Sequence, residues 1–294
     1  MDWTPGGVSG DVEDRRDSSG GGGGFGFGGG GLGIVGFLVL LVISLVTGRN
    51  YLGAVLGGGG GQATTQTGEA VAGQPVQHSA VEDRDVQLIS FVLDDAQKTW
   101  TQIFATEGKP YRHAKLVIYR DATYSGCGTA QASTGPFYCP DDEKIYIDLS
   151  FWDELRQMGG DSADFAQAYV VTHELGHHVQ KLLGIEPRMR QLTQQDPAEG
   201  NALSVDLELQ ADCLSGVWGH SAEERKIVDT SDVDDALKAA AAVGDDHLER
   251  MAGRAVSPEH WTHGSSAQRD GWFRKGLEGG TISSCGTFNG NLAP

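Results

Sequence analysis

The sequence predicts an α+β domain with a small sheet and a helix bearing two histidines one turn apart, preceded by one transmembrane helix. Three observations carry that expectation. Short segments rich in β-branched and aromatic residues, "AKLVIYRD" and "KIYIDLSF", stand among longer stretches of helical periodicity. The stretch "VVTHELGHHVQKLLG", Val170 to Gly184, sets two imidazoles four residues apart in an apolar frame, so both project from one helix face. Leu32 to Gly48 is an uncharged apolar run long enough for a short membrane span.

From the N-terminus, residues 1–31 are polar and then glycine-rich, with too little apolar surface to offset the entropy of ordering, and are expected to be disordered. Residues 32–48 follow as the expected transmembrane helix. The polar leader is longer than the n-region of a signal peptide and no A-x-A site follows, which favours an uncleaved anchor in the bilayer. Arg15 and Arg16 before the run, against Arg49 closely after it, bias the N-terminus inward. The globular domain that follows is then extracytoplasmic, on a single-pass protein of the cell membrane. Residues 49–80, small and polar, form the expected linker, and residues 81–294 the globular domain. Forty acidic against 22 basic side chains give a formal charge of −18, which argues against nucleic acid as a partner.

Within the domain, Leu88, Val92, Ala96, Trp100 and Phe104 lay one stripe along a helix between Asp85 and Glu107. The two strand segments come next. Ser150 caps a short helix, "FWDELRQM", and Asp161 or Ser162 opens the helix that carries the histidines, with Gly184 closing it. Cys127, Cys139, Cys213 and Cys285 form an even set that allows three pairings. In an oxidising compartment a Cys127–Cys139 bridge pins the loop "GTAQASTGPFY" between them, and Cys213 then joins Cys285.

The chemistry centres on His173 and His177, two zinc ligands, with Glu174 about 100° round the helix, beside the ion without binding it. Catalytic zinc usually takes a third protein ligand. Glu208 supplies it, in the apolar setting of Leu207, Leu209, Ala211 and Leu214, and Asp212, one turn on, holds a histidine N–H from the second shell. Asp206, Glu199 and Glu186 are the competing carboxylates; His178 points away at its own helical angle. Glu174 is the general base for an activated water. Asp245 and Asp246 read as an acidic helix start, Trp218, Trp261 and Trp272 as core residues, and Tyr124 and Tyr138 as weak candidates for substrate contact.

The segments "GPFYCPDDEKIYIDLSFW", "THELGHHVQ", "ELQADCLSGVW" and "THGSSAQR" together resemble the bacterial neutral zinc metallopeptidase family, whose members commonly carry an N-terminal membrane anchor. More widely, HELGH followed by ELQAD is similar to the gluzincin pattern. The resemblance implies a zincin-like metallopeptidase domain, a single Zn2+ ion, and a peptide or protein substrate. It implies Glu208 as the third ligand and Asp212 as the support of a ligand histidine. It further implies "KIYIDLSF" as a sheet-edge strand beside the cleft, His263 as a catalytic oxyanion donor, and Arg269 as an orienting cation. The competing expectation is a catalytically idle zinc-binding scaffold at the cell envelope; a base such as Glu174 beside the metal separates the two, because a closed structural site does not need one.

Overall fold

The computed structural model describes residues 1–17, 78–131, 134–157 and 163–288. The expected span at residues 32–48 and nearly all of the linker lie outside the described residues, as do Asp161 and Ser162. Among the described residues no helix is long and apolar enough to cross a membrane.

The first described helix of the body, α1 (Ala80–Thr106), starts five residues before the expected stripe because Ser79 and Glu82 form a reciprocal capping box. Its face of Leu88, Val92, Ala96, Trp100 and Phe104 is buried as the spacing predicts. Beyond it lie β2 (Lys115–Tyr119), the hairpin β3 (Ala122–Ser125) and β4 (Gly128–Gln131), then β5 (Phe137–Cys139) and β6 (Lys144–Asp148). With β1 (Val12–Asp14) the main sheet has the order β1-β2-β6-β5, parallel except for β5, which runs antiparallel to β6. "KIYIDLSF" therefore supplies an interior strand, and the expectation of an edge strand passes to β5. Burial on both faces explains the placement: Ile145 and Ile147 are buried on one side of β6, Tyr146 and Asp148 on the other.

Strand β1 (Val12–Asp14) belongs to the N-terminal stretch expected to be disordered. Residues 1–17 instead dock on the body, with Val12, Glu13 and Asp14 in parallel register against Leu116, Val117 and Ile118. Lys115 donates to Asp11 at 2.6 Å, Lys144 to Glu13 at 2.6 Å, and the Trp3 indole to Asp164 at 2.7 Å. Composition misleads here because the segment is ordered by pairing its backbone and charges with the body and by packing a few apolar side chains, Met1, Trp3 and Val12, on a core it does not itself supply.

After β6 the chain is helical: α2 (Phe151–Gln157), α3 (Asp164–Leu182), α4 (Ile185–Gln195), α5 (Gly200–Glu224), α6 (Thr230–Ala242), α7 (Asp245–Met251) and α8 (Ser266–Gly279). Gly184, at φ 78°, ends α3 in the left-handed conformation expected of it. Trp218 is buried, stacked on Phe165, while Trp261 and Trp272 are only partly buried. Helices α5 and α8 meet backbone to backbone: a Cβ on Gly276 would lie 1.9 Å from the Cys213 carbonyl oxygen. That closeness brings Arg269 of α8 against the side chains of α5. Both expected disulfides, Cys127–Cys139 and Cys213–Cys285, are present.

Candidate metal centre

Helix α3 is buried along most of its length, and its centre carries His173, Glu174 and His177. One turn apart, the two imidazole rings have centroids 4.9 Å from each other. Helix α5 approaches at Gly176, where a Cβ would come within 3.0 Å of the Ala211 carbonyl oxygen. The glycine inside HELGH thus lets α5 lie close enough for Glu208 to reach the histidines. Glu208 Oε2 is 3.2 Å from His173 Nε2, and Oε1 is 3.4 Å from His177 Nε2. Ligand atoms of all three residues lie within 4.8 Å of one another, the only such cluster among the described residues.

Each imidazole presents Nε2 to this cluster because Nδ1 is engaged behind it. His173 Nδ1 faces Asp212 Oδ1 at 2.9 Å, and His177 Nδ1 faces Gln180 Oε1 at 2.9 Å. An acceptor behind each ring keeps the proton on Nδ1 and the Nε2 lone pair available to a metal. Two neutral imidazoles and one carboxylate match the donor set of a zinc site, so the residues fit the ion that the motif implies.

Electrostatics of the protein alone supply the carboxylate of that donor set and leave His173 a proton to lose. Burial would raise the Glu208 carboxyl, but His177, His173 and His263 together hold it well below the usual range. Burial works against a charged His173, yet Asp212 and Glu208 push it up to about 10, so binding a metal there must displace a proton. Glu174 is raised, because burial outweighs the two histidines. Asp212 is fully buried; burial would raise it, and Arg269 and His173 hold it low. Arg269, itself buried, grips both Asp212 oxygens at 2.9 Å and reaches the Tyr169 hydroxyl at 3.0 Å, while that hydroxyl donates to Asp212 Oδ1.

His263 stands on the turn before α8, with Nδ1 3.3 Å from Asp245 Oδ1. The other Asp245 oxygen accepts the backbone N–H groups of Thr262, His263 and Gly264 at 2.8, 2.7 and 3.0 Å. Burial opposes a charge on His263, but Asp245 and the nearby Glu208 raise its pKa. Asp245 is therefore more than a helix start: it fixes the turn and the ring. Of the other expected groups, His178 is turned to the Arg112 carbonyl oxygen and the Tyr138 hydroxyl. Glu186 pairs with Arg190, Glu199 lies in the turn Pro197–Glu199, and Asp206, pushed up to about 6 by burial, stands outside the triad.

Three residues of the site were missed in the sequence. Tyr169 and Gln180 had a signal, since they lie four residues before His173 and three after His177 on the same helix. Asp245 had none, because only the fold brings it to His263.

The fold and site define a class: α+β proteins in which two histidines of an HExxH helix and a glutamate of a second helix form a cluster that can hold a metal ion. The chain belongs to the family described as "Putative neutral zinc metallopeptidase", which it matches over residues 1–288. It is 46% identical over 295 residues to the uncharacterized Escherichia coli (strain K12) protein YpfJ, covering 99% of this chain and 100% of that one. It is 42% identical over 190 residues to the uncharacterized Mycobacterium tuberculosis (strain H37Rv) protein Rv2575, covering 61% of this chain and 64% of that one. No solved structure matches the chain.

Proposed function

We propose that this chain is a zinc-dependent peptidase with a zincin-like catalytic domain, in which His173, His177 and Glu208 hold the ion and Glu174 is the general base. The observation that carries the reading is the pairing of three donors, not four, with a buried carboxylate beside them that none of the three needs. When bound, zinc supplies an acidified water and a Lewis acid for the substrate carbonyl. Glu174, its proton affinity raised by burial, accepts a proton at its carboxylate and passes it to the departing amine. His263, oriented by Asp245, donates to the developing oxyanion. An extended peptide adds to the free edge of β5, which packs beside α3. Two disulfides support an oxidising, extracytoplasmic location for the domain.

The test uses the full chain, because β1 is part of the sheet and a fragment starting at residue 80 would lack it. Glu208→Gln is expected to weaken zinc binding, and added zinc to restore part of the peptide hydrolysis, since an anionic ligand has become neutral. Undiminished zinc affinity in that variant would send the search to Asp206. A wild-type chain that holds one zinc yet cleaves neither unfolded proteins nor cell-wall peptides would favour the scaffold reading.

His263→Ala is expected to reduce kcat by about 10²–10³-fold with zinc content unchanged, the usual loss when one oxyanion donor goes. Asp245→Asn should produce a smaller loss of the same kind. An unchanged kcat in His263→Ala would remove that residue from the reaction.

A further inference from the structure

The two ligand histidines are held by different means. His173 gives its Nδ1–H to a carboxylate, whereas His177 gives its Nδ1–H to a neutral amide, Gln180. Gln180 is fully buried, and its Nε2 donates to the Leu207 carbonyl oxygen at 2.7 Å and to Gln210 Oε1 at 3.1 Å. Gln210, also fully buried, donates its own Nε2 to the Cys285 carbonyl oxygen at 2.9 Å. A carboxamide that accepts through oxygen on one side donates through nitrogen on the other, so each amide sets the orientation of the next. The chain of bonds runs one way, from His177 through Gln180 and Gln210 to the Cys285 carbonyl.

That last acceptor lies in the turn Ile282–Cys285, 75 residues along the chain from Gln210. The covalent tie between this turn and α5 is the bond from Cys285 to Cys213, which is next to Asp212. Buried carboxamides are costly unless satisfied, and apolar side chains could fill the same volume, so a fully satisfied pair leading to a metal ligand calls for a role. The role follows from direction. If the Cys285 carbonyl moves away, Gln210 can reverse its amide and bring its NH2 against that of Gln180, which is then held by the Leu207 carbonyl alone and shifts off His177 Nδ1. His177, its Nδ1–H no longer held, can then take the other tautomer, carrying the proton on Nε2, which cannot bind a metal.

We propose that Gln180 and Gln210 are positioning residues for His177, and that through them the Cys213–Cys285 disulfide sets the affinity of the centre for zinc. The inference rests on the zinc-peptidase reading above. The chemistry balances with a dithiol as reductant: its thiolate attacks one sulfur, the Cys213–Cys285 bond breaks to leave two thiols, and the dithiol closes to its own disulfide. Reduction then loosens the acceptor at the end of the relay and zinc leaves more readily.

Zinc dissociation constants of the full chain, from competition with a chromophoric chelator, and the visible absorption of the cobalt-loaded protein provide the test. Gln210→Met, and separately Cys213→Ala with Cys285→Ala, are expected to weaken zinc binding by about 10–100-fold and to alter the cobalt spectrum. Combining them should add little, because both interrupt one relay. Removing the other disulfide, Cys127→Ala with Cys139→Ala, should leave affinity and spectrum as they are. Thermal melts of the metal-free variants separate this from general loosening. If the Cys213/Cys285 variant does not fold, graded dithiol reduction in the Cys127→Ala, Cys139→Ala background replaces it. Unchanged affinity in Gln210→Met, additive losses, or equal weakening by removal of either disulfide would overturn the relay. A wild-type chain that binds no zinc would overturn the metal reading itself, which is a different result.

Discussion

Glu174→Gln is expected to keep its zinc and lose about 10²–10⁴-fold in peptide hydrolysis, the loss typical of a missing general base. The carboxylate is not among the three groups whose ligand atoms converge, so the substitution leaves His173, His177 and Glu208 in place. It is nearly isosteric, and Glu174 is buried, so the packing of α3 should persist. What disappears is the ability to accept a proton, since an amide cannot. Metal content and hydrolysis measured together decide the matter: a fall in zinc content would make Glu174 a ligand, and full activity would remove it from the mechanism.

Arg269→Met is expected to cost about 3–5 kcal/mol of stability, on the order of 10 °C in Tm for a body of this size. The guanidinium is 3% exposed and holds both oxygens of a carboxylate that is 0% exposed, so removing it strands a buried negative charge. The pH dependence follows from the depressed pKa of Asp212. Burial alone would raise that pKa, and Arg269 and His173 lower it. A depressed carboxylate stabilises the fold above its unfolded value of about 3.9, and that contribution is lost as pH falls through the folded value. The gap between wild type and variant should therefore be widest near neutral pH and narrow below about pH 4. Equal Tm values at pH 7, or a gap that stays constant into acid, would show that the pair is not held as described.

How much of this was legible in the sequence depended on whether the information was local. His173, Glu174 and His177 declare themselves within five residues, and helical spacing alone puts both imidazoles on one face. Glu208 and Asp212 were legible as a pair because they too are four apart in an apolar helix. Their register against α3 was not, since it depends on Gly176 and Ala211 touching, a contact between segments 35 residues apart. Asp245 was read as an ordinary helix start because its partners, the N–H groups of Thr262 to Gly264, belong to a turn that only the fold brings near. "KIYIDLSF" was legible as a strand but not as an interior one, because neither its β5 neighbour nor its β2 neighbour can be counted from composition.

Strand β1 carries a consequence for geography. A sheet is knit by hydrogen bonds about 3 Å long, so its strands share one compartment. While Val12–Asp14 stays paired with Leu116–Ile118, the first 17 residues and the metal centre sit on the same face of any bilayer. An inward N-terminus with an outward metal centre, as the arginine bias suggests, would require this strand to be given up.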